Sequence, residues 1–299
     1  MASLREIRRK IKSVKSTEQI TKAMKMVAAA RMRRSQTAIL AARPFAAKLE
    51  HLVRERAQLE VRSDVAAGRA VQIHPFYDRR PEGAELLVLV TGDKGLCGAF
   101  NANLIRFAID WFKQRQGQKT YCVVVGRKGR DFVHRLKGAD VAIAGELTGV
   151  FPKISFAHAE IVGKAVLDAY LSQGVSKVTI LYNEFKSVAQ QRLVSVPLLP
   201  IPEPEHTGDA AVLPDFGFEP SRQELLSHLL PRYVKAQLYR VLLESQAAEL
   251  AARMNAMDAA SKNAKELRES LNLEANRTRQ AAITKEIAEL VGGAEALAS

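Results

Sequence analysis

The sequence predicts an α/β protein in which a central domain is flanked by long N- and C-terminal helices, paired as an antiparallel coiled coil. Three observations carry this prediction. No glycine precedes Gly68 and none lies between Gly217 and Gly292, so the turn-forming residues concentrate in the middle of the 299-residue chain. Both glycine-free ends carry apolar residues at alternating spacings of three and four. The middle alternates aliphatic runs of strand length with segments of helical periodicity, the pattern of a largely parallel sheet.

Residues 1–60 form the first expected segment, a helix from about Leu4 to Ala57. Leu4, Ile7, Ile11 and Val14 make a heptad seam. After the polar patch "KSTEQ" the stripe resumes at Ile20, Met24 and Val27, an offset that predicts a locally altered supercoil. The small side chains of "MVAAARM" permit close approach of a second helix, and the methionines read as seam fillers. Pro44 is expected to kink the helix near Arg43 or to end it there.

A connecting segment, 61–84, contains "RAVQIHPFYDRRPEG", for which the sequence suggests no role. The α/β domain spans 85–201. "LLVLV", "TYCVVVG" and "VTILYNEF" read as buried strands, with "QRLVSVPLLPI" a further strand and hairpin partner of the last. "AFNANLIRFAIDWFKQ" and "AHAEIVGKAVLDAYLSQG" read as helices between them, which makes the domain Rossmann-like. Residues 202–220 are expected to be a linker.

The last segment, 221–299, holds a helix expected to start near Pro231, since proline suits a first helical turn. Leu250, Met254, Met257, Ser261, Ala264, Arg268 and Leu271 step by four and three, and Ile283, Ile287 and Leu290 continue that spacing. As straight helices, Pro231 to Leu290 and Leu4 to Ala57 would span roughly 90 and 80 Å. Helices of that length need packing partners, so the two are expected to pair, with the C-terminal helix overhanging. The tail "VGGAEALAS" is charged only at Glu295 and reads either as inserting into a partner or as fraying.

Composition narrows the function. Apolar residues make up 47% of the chain, enough for a core, and no stretch approaches the length of a membrane span. Two cysteines, Cys97 and Cys122, give no disulfide framework and are expected to be reduced. Of the net charge of +13, residues 1–60 supply +10, with 15 Lys or Arg against 5 Asp or Glu. A basic arm can serve nucleic acid, an anionic membrane or an acidic protein. Here the charges interleave with an apolar stripe, which also fits a solvated helix face, and no stacking aromatics accompany them.

"TGDKGLCGAFN" follows the first strand and tests an enzymatic reading. Its glycines, Gly92, Gly95 and Gly98, match neither the Walker nor the dinucleotide fingerprint. No Ser or Thr follows Thr91 in the loop to hold magnesium, and no His lies near Cys97. Asp93 is expected to stabilise the turn, and the loop reads as structural, with no catalytic residue, metal or cofactor.

"IKSVKSTEQITKAMKMVAAARMRRSQ", "GDKGLCGAFN" and "NRTRQAAITKEIAELVGGAEAL" together resemble the gamma subunit of the F-type ATP synthase, in family order from near residue 5 to near residue 297. Gly92, Asp93, Gly95 and Gly98 match the middle motif; Ile283, Thr284, Glu286, Glu289, Gly293 and Ala294 match the last one. The resemblance implies a non-catalytic rotor shaft that turns inside a hexamer of alternating alpha and beta subunits. Its α/β foot would sit beside the epsilon subunit and the membrane ring of c subunits. It further implies that Lys22, Met24 and Lys25 meet a lever segment of beta, that Arg279 and Gln280 touch a beta loop, and that Thr284 and Glu286 lie a turn further on. The basic arm would then face acidic beta segments rather than nucleic acid. The expected location is the cytoplasmic side of a bacterial inner membrane, held peripherally without a span.

Overall fold

The computed structural model describes residues 3–66, 74–80, 82–136, 140–151, 153–202 and 222–298. The elements are α1 (Leu4–Ala66), β1 (Ala84–Val90), α2 (Phe100–Lys113), β2 (Thr120–Val125), α3 (Arg127–Val133), β3 (Val141–Leu147), α4 (Phe156–Ser172), β4 (Val175–Phe185), β5 (Gln191–Leu199) and α5 (Arg222–Ala298). They divide into two packing units, Ala30–Ala252 and Met1–Ala29 with Arg253–Ser299. The expected linker, apart from Pro202, lies outside the described residues, as do 67–73 of the connecting segment.

In the unit of residues 30–252, a five-stranded sheet has the order β3-β2-β1-β4-β5. β1 pairs in parallel with β2 and β4, and β3 in parallel with β2. β5 returns antiparallel to β4, as expected of the hairpin. Leu86 to Val90 are wholly buried, so both faces of the central strand are covered. Leu86, Val88 and Val90 belong to a core shared with α4 and the start of α5. Leu87 and Leu89 face Leu104, Ala108 and Trp111 of α2.

Four features depart from the sequence reading. α5 begins at Arg222, ahead of the expected start, and carries Pro231 inside it. Leu226, Leu230, Val234 and Leu238 recur every fourth residue and are buried in the core. Each such leucine contributes about 1.5–3 kcal/mol, together enough to offset the roughly 3 kcal/mol of an internal proline. α1 likewise runs through Pro44 to Ala66, past the expected Ala57, with Leu49, Val53 and Ala57 in the same core. α3 and β3 were not anticipated: β3 is an edge strand of small residues with no stripe to mark it. The segment without an assigned role supplies Phe76 and Tyr77 to the core, and Arg80 donates to the carbonyls of Tyr170 (2.8 Å) and Val175 (3.1 Å).

Candidate functional site

In a sheet of this order, ligands bind beyond the carboxyl ends of the strands where the winding reverses, here beside β1 and β4. The glycine loop, residues 91–99, stands at that point, and Thr91, Gly92 and Asp93 bond within the protein. Asp93 Oδ1 accepts from the backbone N–H of Arg127 (3.0 Å) and of Gly149 (2.8 Å), and Oδ2 from that of Phe151 (3.2 Å). The Thr91 hydroxyl donates to Val125 O and accepts from Gly129 N at 2.7 Å. Gly92 N donates to Asn101 Oδ1, whose amide donates in turn to Lys94 O. A Cβ on Gly92 would sit 3.3 Å from the carboxylate of Glu249, so α5 lies where a bound ligand's phosphates would approach. The loop is a joint between elements.

Two glycines outside the expected motif are stricter than those in it. Gly126 has φ +92°, and a Cβ there would lie 2.0 Å from Thr91 O; at Gly129 one would lie 2.9 Å from Thr91 Oγ1. Gly98 has φ +57°, which glycine accepts freely. Gly95 faces open space. Leu96 adopts φ +61° although it is not glycine, and its side chain is 65% exposed. Cys97 and Cys122 are free and buried, and burial pushes the Cys122 thiol up, away from thiolate chemistry.

From this joint a buried polar chain reaches both long helices. Phe151, held by Asp93 through its N–H, accepts through its carbonyl from Gln246 Nε2 of α5 at 2.7 Å. Gln246 Oε1 accepts from the Ser35 hydroxyl of α1 at 3.2 Å. Gln246 and Ser35 are both buried.

The unit formed by residues 3–29 and 253–298 is a helix pair. Glu18 pairs with Arg268 at 3.2 Å and Lys25 with Asp258, so one helix number rises as the other falls: the pair is antiparallel. Its seam corrects the expected register. Ile20 and Val27, placed in the stripe by sequence, are more than half exposed. Glu18, Thr21, Lys25 and Ala28 occupy the seam instead, in unbroken steps of three and four from Val14. Hence there is no offset and no need for an altered supercoil. Thr21 satisfies its hydroxyl on the carbonyls of Thr17 and Glu18, and the two ion pairs neutralise the charged members. Asp258 titrates below the usual carboxylate value because Lys25, and then Lys262, donate to it.

On α5 the expected seam residues from Met254 to Leu271 are buried or half-buried. Ile283, Ile287 and Leu290 continue the spacing, yet all three are exposed, so the overhang falls on the C-terminal helix. A row of uncovered apolar residues at seam spacing marks a surface for something outside the chain.

The family model described as ATP synthase matches residues 3–297. The chain belongs to the ATP synthase gamma-chain family. It is 42% identical over 303 residues to the ATP synthase gamma chain of Elusimicrobium minutum, covering 99% of both chains. To that of Desulforamulus reducens it is 45% identical over 297 residues, covering 99% of this chain and 100% of the other. Among solved structures, it superposes on a chain from the mitochondrial ATP synthase of Euglena gracilis (OSCP/F1/c-ring) with a TM-score of 0.65, 21% identity and coverage of 98% and 94%. A chain from the central stalk/c-ring of the Tetrahymena thermophila enzyme gives a TM-score of 0.61 at 24% identity, covering 81% of this chain and 99% of that one. These two likenesses concern the fold alone.

The gamma-chain motif residues fall into three separate places. Lys22 is exposed on α1, Met24 is half-buried, and Lys25 is engaged with Asp258. Arg279, Gln280, Thr284 and Glu286 are exposed toward the C-terminal end of α5. Glu289 pairs with Lys285 at 3.5 Å, and Gly293 and Ala294 lie within α5. Asp258 and Arg279 are separated by roughly 30 Å of helix, so the two expected contact clusters are distinct. Gly92, Asp93, Gly95 and Gly98 form the joint in the other unit. Sequence reasoning placed Arg268 in the seam without its partner and missed Glu18, Ser35 and Gln246; opposite charges at seam spacing on the two terminal helices were the available signal for the ion pair.

Proposed function

We propose that this chain is the central rotor shaft of a proton-translocating ATP synthase. It carries torque between a membrane ring of c subunits and a hexamer of alternating alpha and beta subunits, which hold the nucleotides. It performs no bond chemistry. The observation that carries this reading is the helix pair of the gamma-chain fold. The pair satisfies its own charges in the seam and continues into an overhang with Ile283, Ile287 and Leu290 uncovered. An apolar row of this kind suits a bearing surface, where a helix turns against apolar walls without forming fixed bonds.

On this reading Lys22, Met24 and Lys25 meet the beta lever segment. Arg279, Gln280, Thr284 and Glu286 meet a beta loop higher on the shaft. Because Lys25 is also committed to Asp258, its contact with beta is made without leaving the seam. The α/β unit meets epsilon and the c ring. The relatives are bacterial, which supports peripheral attachment at the cytoplasmic face of the inner membrane; among the described residues no helix is long and apolar enough to cross it.

Co-expression with alpha and beta subunits, followed by size-exclusion chromatography and an ATPase assay, tests the proposal. The expected particle holds one copy of this chain with three of each partner, and hydrolysis depends on its presence. Elution alone, with ATP or DNA bound, would overturn it.

A further inference from the structure

We propose that a cavity walled by α1, α4 and α5 in the unit of residues 30–252 binds a single-chain amphiphilic carboxylate. The cavity has a volume of about 430 Å³, within the roughly 300–1,000 Å³ range of small-molecule sites. It exists because α1 presents alanines there, Ala38, Ala42 and Ala46 among them, where a larger side chain would close the gap to α5. Ile39 and Leu243, both buried, make its floor. Phe156 and Tyr239, in a T-shaped contact at 5.6 Å, form an aromatic wall, and Phe45, half exposed, stands at the mouth.

One lining residue is out of place in this apolar setting. Arg240 lies on the wall, and its Nε–H is buried with no acceptor among the described residues. Buried donors are nearly always satisfied, and a guanidinium is best satisfied by a carboxylate that accepts in its plane. An apolar hollow with an unpartnered guanidinium N–H in its wall selects a ligand with an apolar tail and a carboxylate head. The volume admits one acyl chain and not two, which separates a free fatty acid-like ligand from a phospholipid. The proposal does not rest on the chain's role in a rotor.

The test uses the full-length chain with dodecanoate, below its aggregation threshold, as probe. Isothermal titration is expected to give saturable binding of one equivalent, with a rise in the unfolding temperature as ligand occupies the folded state. Dodecanol, which keeps the tail and loses the carboxylate, should bind about tenfold or more weaker, and Arg240→Leu should weaken dodecanoate by a similar factor. Ala42→Phe fills the hollow and should abolish binding. Ala46→Leu is the milder second variant should the first fail to fold by circular dichroism. Absence of saturation, equal binding of dodecanoate and dodecanol, or binding untouched by Arg240→Leu in a folded protein would each overturn the proposal. So would binding only to phosphatidylglycerol vesicles, which would mark a membrane surface instead of a cavity.

Discussion

Replacing Gln246 with leucine should loosen the α/β unit from the helices that cross it. Leucine matches the shape of glutamine closely but removes two hydrogen bonds. The Phe151 carbonyl loses its donor at 2.7 Å, and the Ser35 hydroxyl loses its acceptor at 3.2 Å. The hydroxyl has a weak alternative, Leu243 O at 3.4 Å, so the carbonyl bears most of the penalty. Leaving a buried acceptor unsatisfied costs about 1–3 kcal/mol, and the weakened hydroxyl bond adds about 0.5–1. The sum, about 1.5–4 kcal/mol, should lower the unfolding temperature by roughly 3–16 °C, at about 2–4 °C per kcal/mol in a domain of this size. Thermal unfolding of the isolated chain reads this shift. In a reconstituted enzyme, the ratio of proton pumping to ATP hydrolysis reads whether the joint also transmits torque. Ser35→Ala in the same background should add little, because the pair shares its partners. An unfolding temperature unchanged in Gln246→Leu, or full additivity with Ser35→Ala, would refute the reasoning.

Asp93→Ala strips an acceptor from three backbone N–H groups and should cost about 2–4 kcal/mol, seen as a lower unfolding temperature; Asp93→Asn, which keeps one carbonyl oxygen, should recover part of it. Leu96→Gly relieves a left-handed residue and should raise stability by about 1 kcal/mol in the isolated chain, measured by the same scan. Reversing the seam pair, Glu18→Arg with Arg268→Glu, should restore the stability that either single change removes, about 0.5–1.5 kcal/mol by urea unfolding. Asp258 has its pKa depressed below 3.8 by donation from Lys25 and then Lys262. Its contribution is therefore fully present above pH 3.8 and lost as the pH falls through its own lower pKa. Asp258→Asn should flatten that acid limb in a pH series of unfolding scans.

The parts of the fold that sequence made legible are those with strong local signals. β1, β2 and β4 are continuous aliphatic runs, and α2 presents Phe100, Leu104, Ala108 and Trp111 to one side. The register of α1 was hidden because pattern reading ranks Ile20 and Val27 above Glu18 and Lys25. Long charged side chains can lie in a seam with their stems packed and their heads paired, and that pairing is set by α5, far along the chain. The role of Asp93 was legible only in outline. Its partners, Arg127, Gly149 and Phe151, are 34 to 58 residues away, and no local rule names them. The proline at 231 misplaced the start of α5 for the opposite reason: a local preference was overridden by burial of Leu226 and Leu230.

The polar members of the seam also fix where the helices stand along their common axis. Moved by one heptad in either direction, Glu18 would face Ser261 or Ala275 in place of Arg268, and Lys25 would face Ala251 or Lys265 in place of Asp258. Each slip breaks both ion pairs, and one of them sets ammonium against ammonium. A purely aliphatic seam would allow such sliding at little cost, since one layer of methyl groups resembles the next. This one behaves as a keyed spline, which turns as a single body because neither strand can creep past the other under load.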